Sequence, residues 1–197
     1  LTFSLLLPLT SLEQKLRQNI TQIAALSVAQ MLEGYGLKPS VKWPNDVLIQ
    51  GKKISGILCE ITETDERVCG ILGIGINVNN SEEFLANLDI PATSLRCELH
   101  HKIIRQDMLK KLLEIIINCF NVLCQTGFTQ NRQEIKKRLA FVNEPIVFTD
   151  VKQDSYSGKI IDLNDDGTLL FECEKRGIIS LNSGEIAFHN SYSMRKY

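Results

Sequence analysis

The sequence predicts an α+β protein, a mixed sheet flanked by helices to about residue 142 followed by a small β-barrel. Three observations predict it. Leu12–Met31 and Met108–Leu123 carry apolar residues at helical spacing; Val41 to Ile76 reads as short strands separated by turn signals; and after Asn143-Glu144-Pro145 about 50 residues form only short β-like segments, with turns at Asn164-Asp165-Asp166-Gly167 and Asn182-Ser183-Gly184. The domains so drawn are 1–142 and 143–197.

Each element follows from its own pattern. The opening Leu1 to Leu9 lacks a basic leader, contains Pro8 and is too short to span a bilayer, so it reads as a buried strand rather than a signal peptide. Ser11 with Gln14 resembles a capping box, and Leu12, Leu16, Ile20, Ile23, Val28 and Met31 continue a long amphipathic helix to the stop at Gly34-Tyr35-Gly36. Val41-Lys42-Trp43 is a short strand. Pro44-Asn45-Asp46 then turns the chain, because the residue before proline is held extended and Asn and Asp favour turns. Val47–Gln50 and Ile54–Ile61 form a hairpin around Gly51-Lys52, with the turn next to Lys53, and Val68–Ile76 is a third strand. Ser81–Leu95 is loop-like with short helical pieces. Met108, Leu109, Leu112, Leu113, Ile116, Phe120 and Leu123 mark a helix from about Asp107, and a second around Asn131–Phe141 carries Lys136-Lys137-Arg138, a run read as a solvated face.

Composition narrows the function classes. Hydrophobic residues at 44% and charged residues at 23% exclude a disordered chain, and a net charge of -1 gives no broad electrostatic footprint for nucleic acid. Any phosphate chemistry is therefore local. The cysteines at 59, 69, 97, 119, 124 and 173 show neither the close pairs of a zinc site nor the density of a disulfide scaffold, which points to reduced thiols and a cytoplasmic setting.

Chemistry concentrates in Lys42-Trp43-Pro44-Asn45-Asp46 and in Lys53-Ile54-Ser55-Gly56-Ile57-Leu58-Cys59-Glu60. Two lysines, an amide and a carboxylate surround one turn and hairpin, and Gly56 leaves the backbone open to close approach. A lysine held by a rigid hairpin can neutralise both a carboxylate nucleophile and the phosphate it attacks. The plain alternative is a solvated hairpin lysine. Gly73-Ile74-Gly75-Ile76-Asn77 alternates glycine and isoleucine, leaving one strand face bare for a flat ligand or, alternatively, for a packed helix. It is no dinucleotide fingerprint, since no third glycine or following helix completes the unit. Trp43 reads as a buried anchor. For Asp46, turn capping and proton transfer both stay open.

Together, in this order and about 20 residues apart, these segments resemble biotin protein ligases, whose signatures include KWPND, KISGIL and GIGIN segments; Ala92-Thr93-Ser94-Leu95 and Ser183-Gly184-Glu185-Ile186 match as well. The resemblance spans nearly the whole chain. It implies a class II synthetase-like core and an SH3-like C-terminal barrel. It implies that Lys53 contacts the biotin carboxylate and the ATP α-phosphate, that Gly56, Gly73 and Gly75 line the biotin pocket, and that Lys42, Asn45, Asn77 and the Ala92-Thr93-Ser94 loop serve ATP, with Asp46 assisting deprotonation of the incoming lysine. The substrates implied are biotin and ATP with Mg2+, the metal ligands staying unassigned. The partner implied is the biotin carboxyl carrier protein of acetyl-CoA carboxylase, with a homodimer, and without nucleic acid or membrane.

Two family segments are not in this sequence: a Ser/Thr-Thr-Asn stretch and a glycine-arginine loop that precede the first strand and close over biotin and the adenylate. An N-terminal helix-turn-helix is not present either. Because the sequence has no initiating Met and begins inside a strand pattern, an upstream segment is expected, and this stretch alone is expected to be an inactive fragment. The alternatives are a lipoate or octanoate ligase-type acyltransferase and a non-catalytic biotin-binding or dimerising module.

Overall fold

The computed structural model describes residues 1–188, so the end of the second predicted domain, 189–197, lies outside the described residues. The first sheet holds β1 (Thr2–Pro8), β2 (Pro39–Lys42), β3 (Asp46–Ile49), β4 (Lys52–Glu63) and β5 (Val68–Ile76) in the order β1-β5-β4-β3-β2. The expected mixed sheet is instead antiparallel in every strand pairing; parallel contacts occur only as isolated bridges, Val41 to Leu139 and Lys53 to Ala92. For the consecutive strands β2 to β5 the reason is connection length. Three-residue to four-residue links such as 43–45 and 64–67 return the chain beside itself, whereas a parallel pair needs a long crossover.

One face of this sheet is closed by helices. On it Phe3, Leu5 and Leu7 of β1 alternate with exposed Thr2, Ser4 and Leu6, and Ile57, Leu72, Ile74 and Ile76 are buried. The expected buried strand at 1–9 is thus an edge strand with one exposed face among the described residues. Against the closed face lies α1 (Ile20–Glu33), which is buried nearly all round rather than amphipathic, because Ala24, Ala25 and Ala29 let it sit between the sheet and α4 (Arg105–Thr126). On α4 the buried residues Met108, Leu112, Ile116, Cys119 and Leu123 form one stripe.

The expected capping box is not used. Residues Gln14–Asn19 form a 3₁₀ turn, η1, and α1 begins only at Ile20. Short helices α2 (Glu82–Ala86) and α3 (Leu95–Leu99) follow β5, and α5 spans Thr129–Lys136, ending before the expected Phe141, whose φ of 63° is left-handed. In the run 136–138 Lys136 and Lys137 are exposed, as expected of a solvated face, while Arg138 is half-buried, and ion pairs join the run to its surroundings. Lys136 pairs with Asp162 at 2.7 Å, and Arg138 grips Glu33 at 2.7 and 2.8 Å and Glu134 at 2.9 Å.

The second sheet comprises β6 (Pro145–Thr149), β7 (Ser155–Leu163), β8 (Leu169–Cys173), β9 (Gly177–Leu181) and β10 (Glu185–Phe188), ordered β10-β6-β7-β8-β9 and antiparallel throughout. No closed barrel forms among the described residues. Phe148 and Phe171, fully buried with rings 6.1 Å apart, anchor its core. Among the described residues no helix is long and apolar enough to cross a membrane.

Candidate active site

The second face of the first sheet carries the site. Strand registers align Lys42, Asp46, Gly56, Gly75 and Thr2 in one row across all five strands, with Leu58, Gly73 and Ser4 in the next. Partners in antiparallel strands share a face, so these residues look outward together while Ile57 and Ile74 between them look into the core. The rows floor a groove of about 360 Å3, within the range of small-molecule sites.

The glycines of this floor differ in what they are for. A Cβ on Gly56 would come within 3.0 and 3.1 Å of Cε and Nζ of Lys53, so Gly56 leaves room for the lysine to cross it. A Cβ on Gly75 would meet nothing nearer than the Gly56 carbonyl at 3.8 Å, and one on Gly73 only Leu58 O at 3.7 Å and Ser4 Oγ at 3.9 Å. Neither has a positive φ. The folded chain therefore does not require glycine at 73 or 75, and no helix packs there, which removes the helix-packing alternative. What their bareness provides is a flat surface beside an ion pair.

That pair is Lys53 with Asp46, Nζ to Oδ1 2.6 Å, with 31% and 14% of the side chains exposed. A register shift between Val47 and Leu48, where Val47 faces Ser55 but Leu48 faces Lys53, buries Ile54 completely and brings Lys53 over Gly56. The carboxylate thus meets a lysine rather than capping the turn, and Lys53 is not a solvated hairpin residue. Asn45 clasps the turn onto β4: its Nδ2 donates to Ile57 O at 2.9 Å and its O accepts from Ile57 N at 3.0 Å. Lys42 stands in the same row, paired in register with Asp46.

At the start of β4 a second cluster forms around the Lys53 backbone. Lys53 N donates to Pro91 O and Lys53 O accepts from Thr93 N, both at 2.9 Å, and Asn77 N donates to Ile54 O at 2.8 Å. The structure thereby brings Asn77 and Ala92–Ser94 beside Lys53. The hydroxyls of Thr93 and Ser94 are buried and spent internally, on Glu98 at 2.5 Å and on Asn80 O at 2.8 Å, with Ser94 also capping α3. Both hydroxyls are thus engaged inside the protein, which leaves the loop's backbone as its free polar surface.

Trp43 is the anchor expected, 3% exposed, with Nε1 donating to Gly167 O at 3.0 Å. Gly184 of the late motif is demanded by packing, since a Cβ would stand 2.3 Å from Phe148 Cζ. Cys59, close by, has its thiol pushed up by burial and then by the charge of Glu60, which disfavours the thiolate. Among the described residues no group of three or more His, Cys, Asp or Glu side chains is arranged to hold a metal. Residue-by-residue reading missed Thr2, Ser4 and Leu58, though the alternation in Leu1–Leu7 already puts Thr2 and Ser4 opposite the apolar face.

Comparison with known proteins gives two family matches: residues 1–77 to the Biotin/lipoate A/B protein ligase family and 141–189 to the Biotin protein ligase C terminal domain. The chain is 34% identical over 170 residues to the bifunctional ligase/repressor BirA of Bacillus spizizenii, covering 85% of this chain and 52% of that protein. It is 29% identical to a biotin--[acetyl-CoA-carboxylase] ligase of Paracoccus denitrificans, over 75% of this chain and 64% of that one. The chain thus spans about half the length of the first of these relatives. A crystal structure of a biotin protein ligase from Aquifex aeolicus superposes with a TM-score of 0.81 at 30% identity, covering 94% of this chain and 80% of that one. The same Aquifex protein in complex with biotin and ATP gives 0.76 at 28% identity, over 94% and 76%.

Proposed function

The chain belongs to the biotin protein ligase family, and from that premise we propose that it activates biotin with ATP and passes it to a lysine of a biotin carboxyl carrier protein. The observation that carries the reading is the pair of glycines, Gly73 and Gly75, whose bare face the fold itself does not use, beside a cation able to meet a carboxylate and a phosphate.

In the first step a biotin carboxylate oxygen attacks the α-phosphorus of ATP, the bond to the β-phosphate oxygen breaks, and biotinyl-5'-AMP and pyrophosphate result. Lys53 offsets the negative charge that both reactants bring to one place, an effect strongest where water is excluded. To do so its ammonium leaves Asp46, since one charge cannot fully serve a carboxylate on either side. In the second step the ε-amine of the carrier lysine attacks the acyl carbon, AMP departs, and Asp46, then without its partner, accepts the proton. Gly56 lines the pocket with Gly73 and Gly75. Lys42, Asn45, Asn77 and the backbone of Ala92–Ser94 take the nucleotide. Mg2+ enters with ATP, held mainly by the phosphates and water.

Finer features go with this reading. The second sheet is read as an SH3-like barrel, supported by its topology: only β9 and β10, consecutive strands, would have to pair for closure. The first domain is read as a class II synthetase-like core. A side-by-side homodimer is supported by β4, which runs on past its last partner in β3 and leaves its Cys59–Glu63 edge without a strand among the described residues. A cytoplasmic setting is supported by six cysteines that are all free.

The test is ATP-dependent transfer of biotin, with lipoate as competitor, to a carrier domain by the full-length protein and its Lys53→Ala variant. Transfer of biotin, cut at least about a hundredfold in the variant, is expected from loss of the charge-stabilising group. Transfer of lipoate alone would move the assignment to the lipoate branch of the matched family; biotin binding without transfer would leave a binding module.

A further inference from the structure

A turn of the second sheet draws in polar side chains of the first domain that the chemistry proposed above does not use. The turn between β7 and β8 presents two consecutive carbonyls. Asp166 O accepts from Gln18 Nε2 and Asn19 Nδ2, each at 2.9 Å, and Gly167 O accepts from Gln22 Nε2 at 2.7 Å and Trp43 Nε1 at 3.0 Å. Asn19 is 0% and Gln22 5% exposed, so two amides are withdrawn from water, a placement that costs free energy unless those bonds are made.

The turn has little freedom to be anything else. Gly167 has φ +88°, and a Cβ there would lie 2.3 Å from Asn19 Nδ2 and 2.5 Å from Gln22 Oε1. Asp166 Oδ1 braces the loop from outside, accepting from Thr168 N at 2.9 Å and Thr168 Oγ1 at 2.6 Å. The Trp43 ring rests against Phe148 of the second sheet, centroids 6.5 Å apart, so its ring and its donor are both held by the second domain.

From Trp43 the chain reaches the ion pair directly. Pro44 follows, then Asn45 clasped to Ile57, then Asp46 bonded to Lys53. We propose that the Gly167 carbonyl and Trp43 form a positioning latch, through which the β7–β8 turn of the C-terminal domain sets where Asp46 stands and hence holds Lys53 over Gly56. The inference rests on the ligase reading for its catalytic consequence but not for its geometry. Trp43 touches no reacting atom; it acts through Asp46. A buried hydrogen-bonded network of this kind fixes a unique geometry because its alternatives leave donors unpaired.

The experiment uses the full-length protein and two variants. Trp43→Phe keeps a ring in the aromatic cluster and removes the N–H; Asp166→Ala loosens the same turn from its exposed side and keeps the question answerable if the first variant folds poorly. The primary readout needs no activity: the rate at which each lysine is acylated by acetic anhydride, read by mass spectrometry. Lys53 is expected to acylate at least about threefold faster in Trp43→Phe, and in the same direction in Asp166→Ala, with exposed Lys159 unchanged, because its ion-pair partner has moved. Unchanged Lys53 acylation in both variants, or an equal rise at every lysine, overturns the latch and leaves Trp43 a packing anchor. The second readout is biotin-dependent ATP–pyrophosphate exchange, where kcat is expected to fall about tenfold or more with KM for biotin nearly constant, as small displacements of a reacting group cost rate more than binding. A selective rise in Lys53 acylation in a protein without any exchange would uphold the latch and sink the ligase reading alone.

Discussion

The two faces of the first sheet are built by the same strands and obey different requirements. On the closed face Ile57, Leu72, Ile74 and Ile76 are 3%, 1%, 1% and 3% exposed, each filling space in the hydrophobic core. On the open face the residues between them, Gly56, Gly73 and Gly75, fill almost nothing, and two of them border no protein atom that excludes a side chain. Strand alternation places these demands one residue apart. The difference separates what folding requires from what a ligand requires: a bulky β-branched residue at 73 or 75 would suit the strand better than glycine, so glycine there answers to something the chain itself does not contain.

The sharpest way to break this comparison is to exchange the two kinds of position. Ile74→Ala is expected to cost about 2–5 kcal/mol of stability, since it empties a site that is 1% exposed, and to leave biotin affinity within a few-fold at temperatures where the protein stays folded. Denaturant unfolding and calorimetric titration of the full-length protein measure the two quantities. Gly75→Val should do the reverse. Its added methyls enter the groove, where overpacking costs about 1–3 kcal/mol, weakening biotin binding by up to about a hundredfold, while stability holds or rises by up to about 1 kcal/mol from the better strand residue. A Gly75→Val variant that binds normally would mean the groove floor is not where the ligand lies.

What was legible in the sequence follows the same division. Val68–Ile76 comes out with its observed ends, and Lys53, Gly56, Gly73 and Gly75 converge as expected, because turn signals and strand alternation are local. The antiparallel order was equally available in the short links 43–45, 50–51 and 64–67 and was misread as mixed. Other features depend on partners far along the chain. The α-helix starts at Ile20 rather than Ser11, after a 3₁₀ stretch whose Gln18 and Asn19 both donate to Asp166 O of the second domain, 148 and 147 residues away. Arg138 is half-buried rather than solvated because Glu33, 105 residues away, folds against it, a partner no local pattern reveals. Helix α3, at Leu95–Leu99, is too short for periodicity to reveal.

The smallest expected effect lies outside both faces, in the two-residue turn that carries Lys53 into place. Ile49 pairs with Lys52, so Gln50 and Gly51 are the whole loop, and both have positive φ, 49° and 77°. Such a turn matches the twist of its strands but penalises most side chains at its first position; asparagine tolerates that conformation where glutamine does not. Gln50→Asn should therefore stabilise the protein by about 0.5–1 kcal/mol, a rise in Tm of about 1–4 °C for a chain of this length. Exchange activity should stay unchanged, because the Lys53 backbone is set by the register shift at Val47 and by Pro91 and Thr93 rather than by the turn's own strain. A gain in stability with altered biotin KM would instead show that the hairpin turn, three residues from the glycine-backed ion pair, is itself part of the ligand-facing half of the sheet.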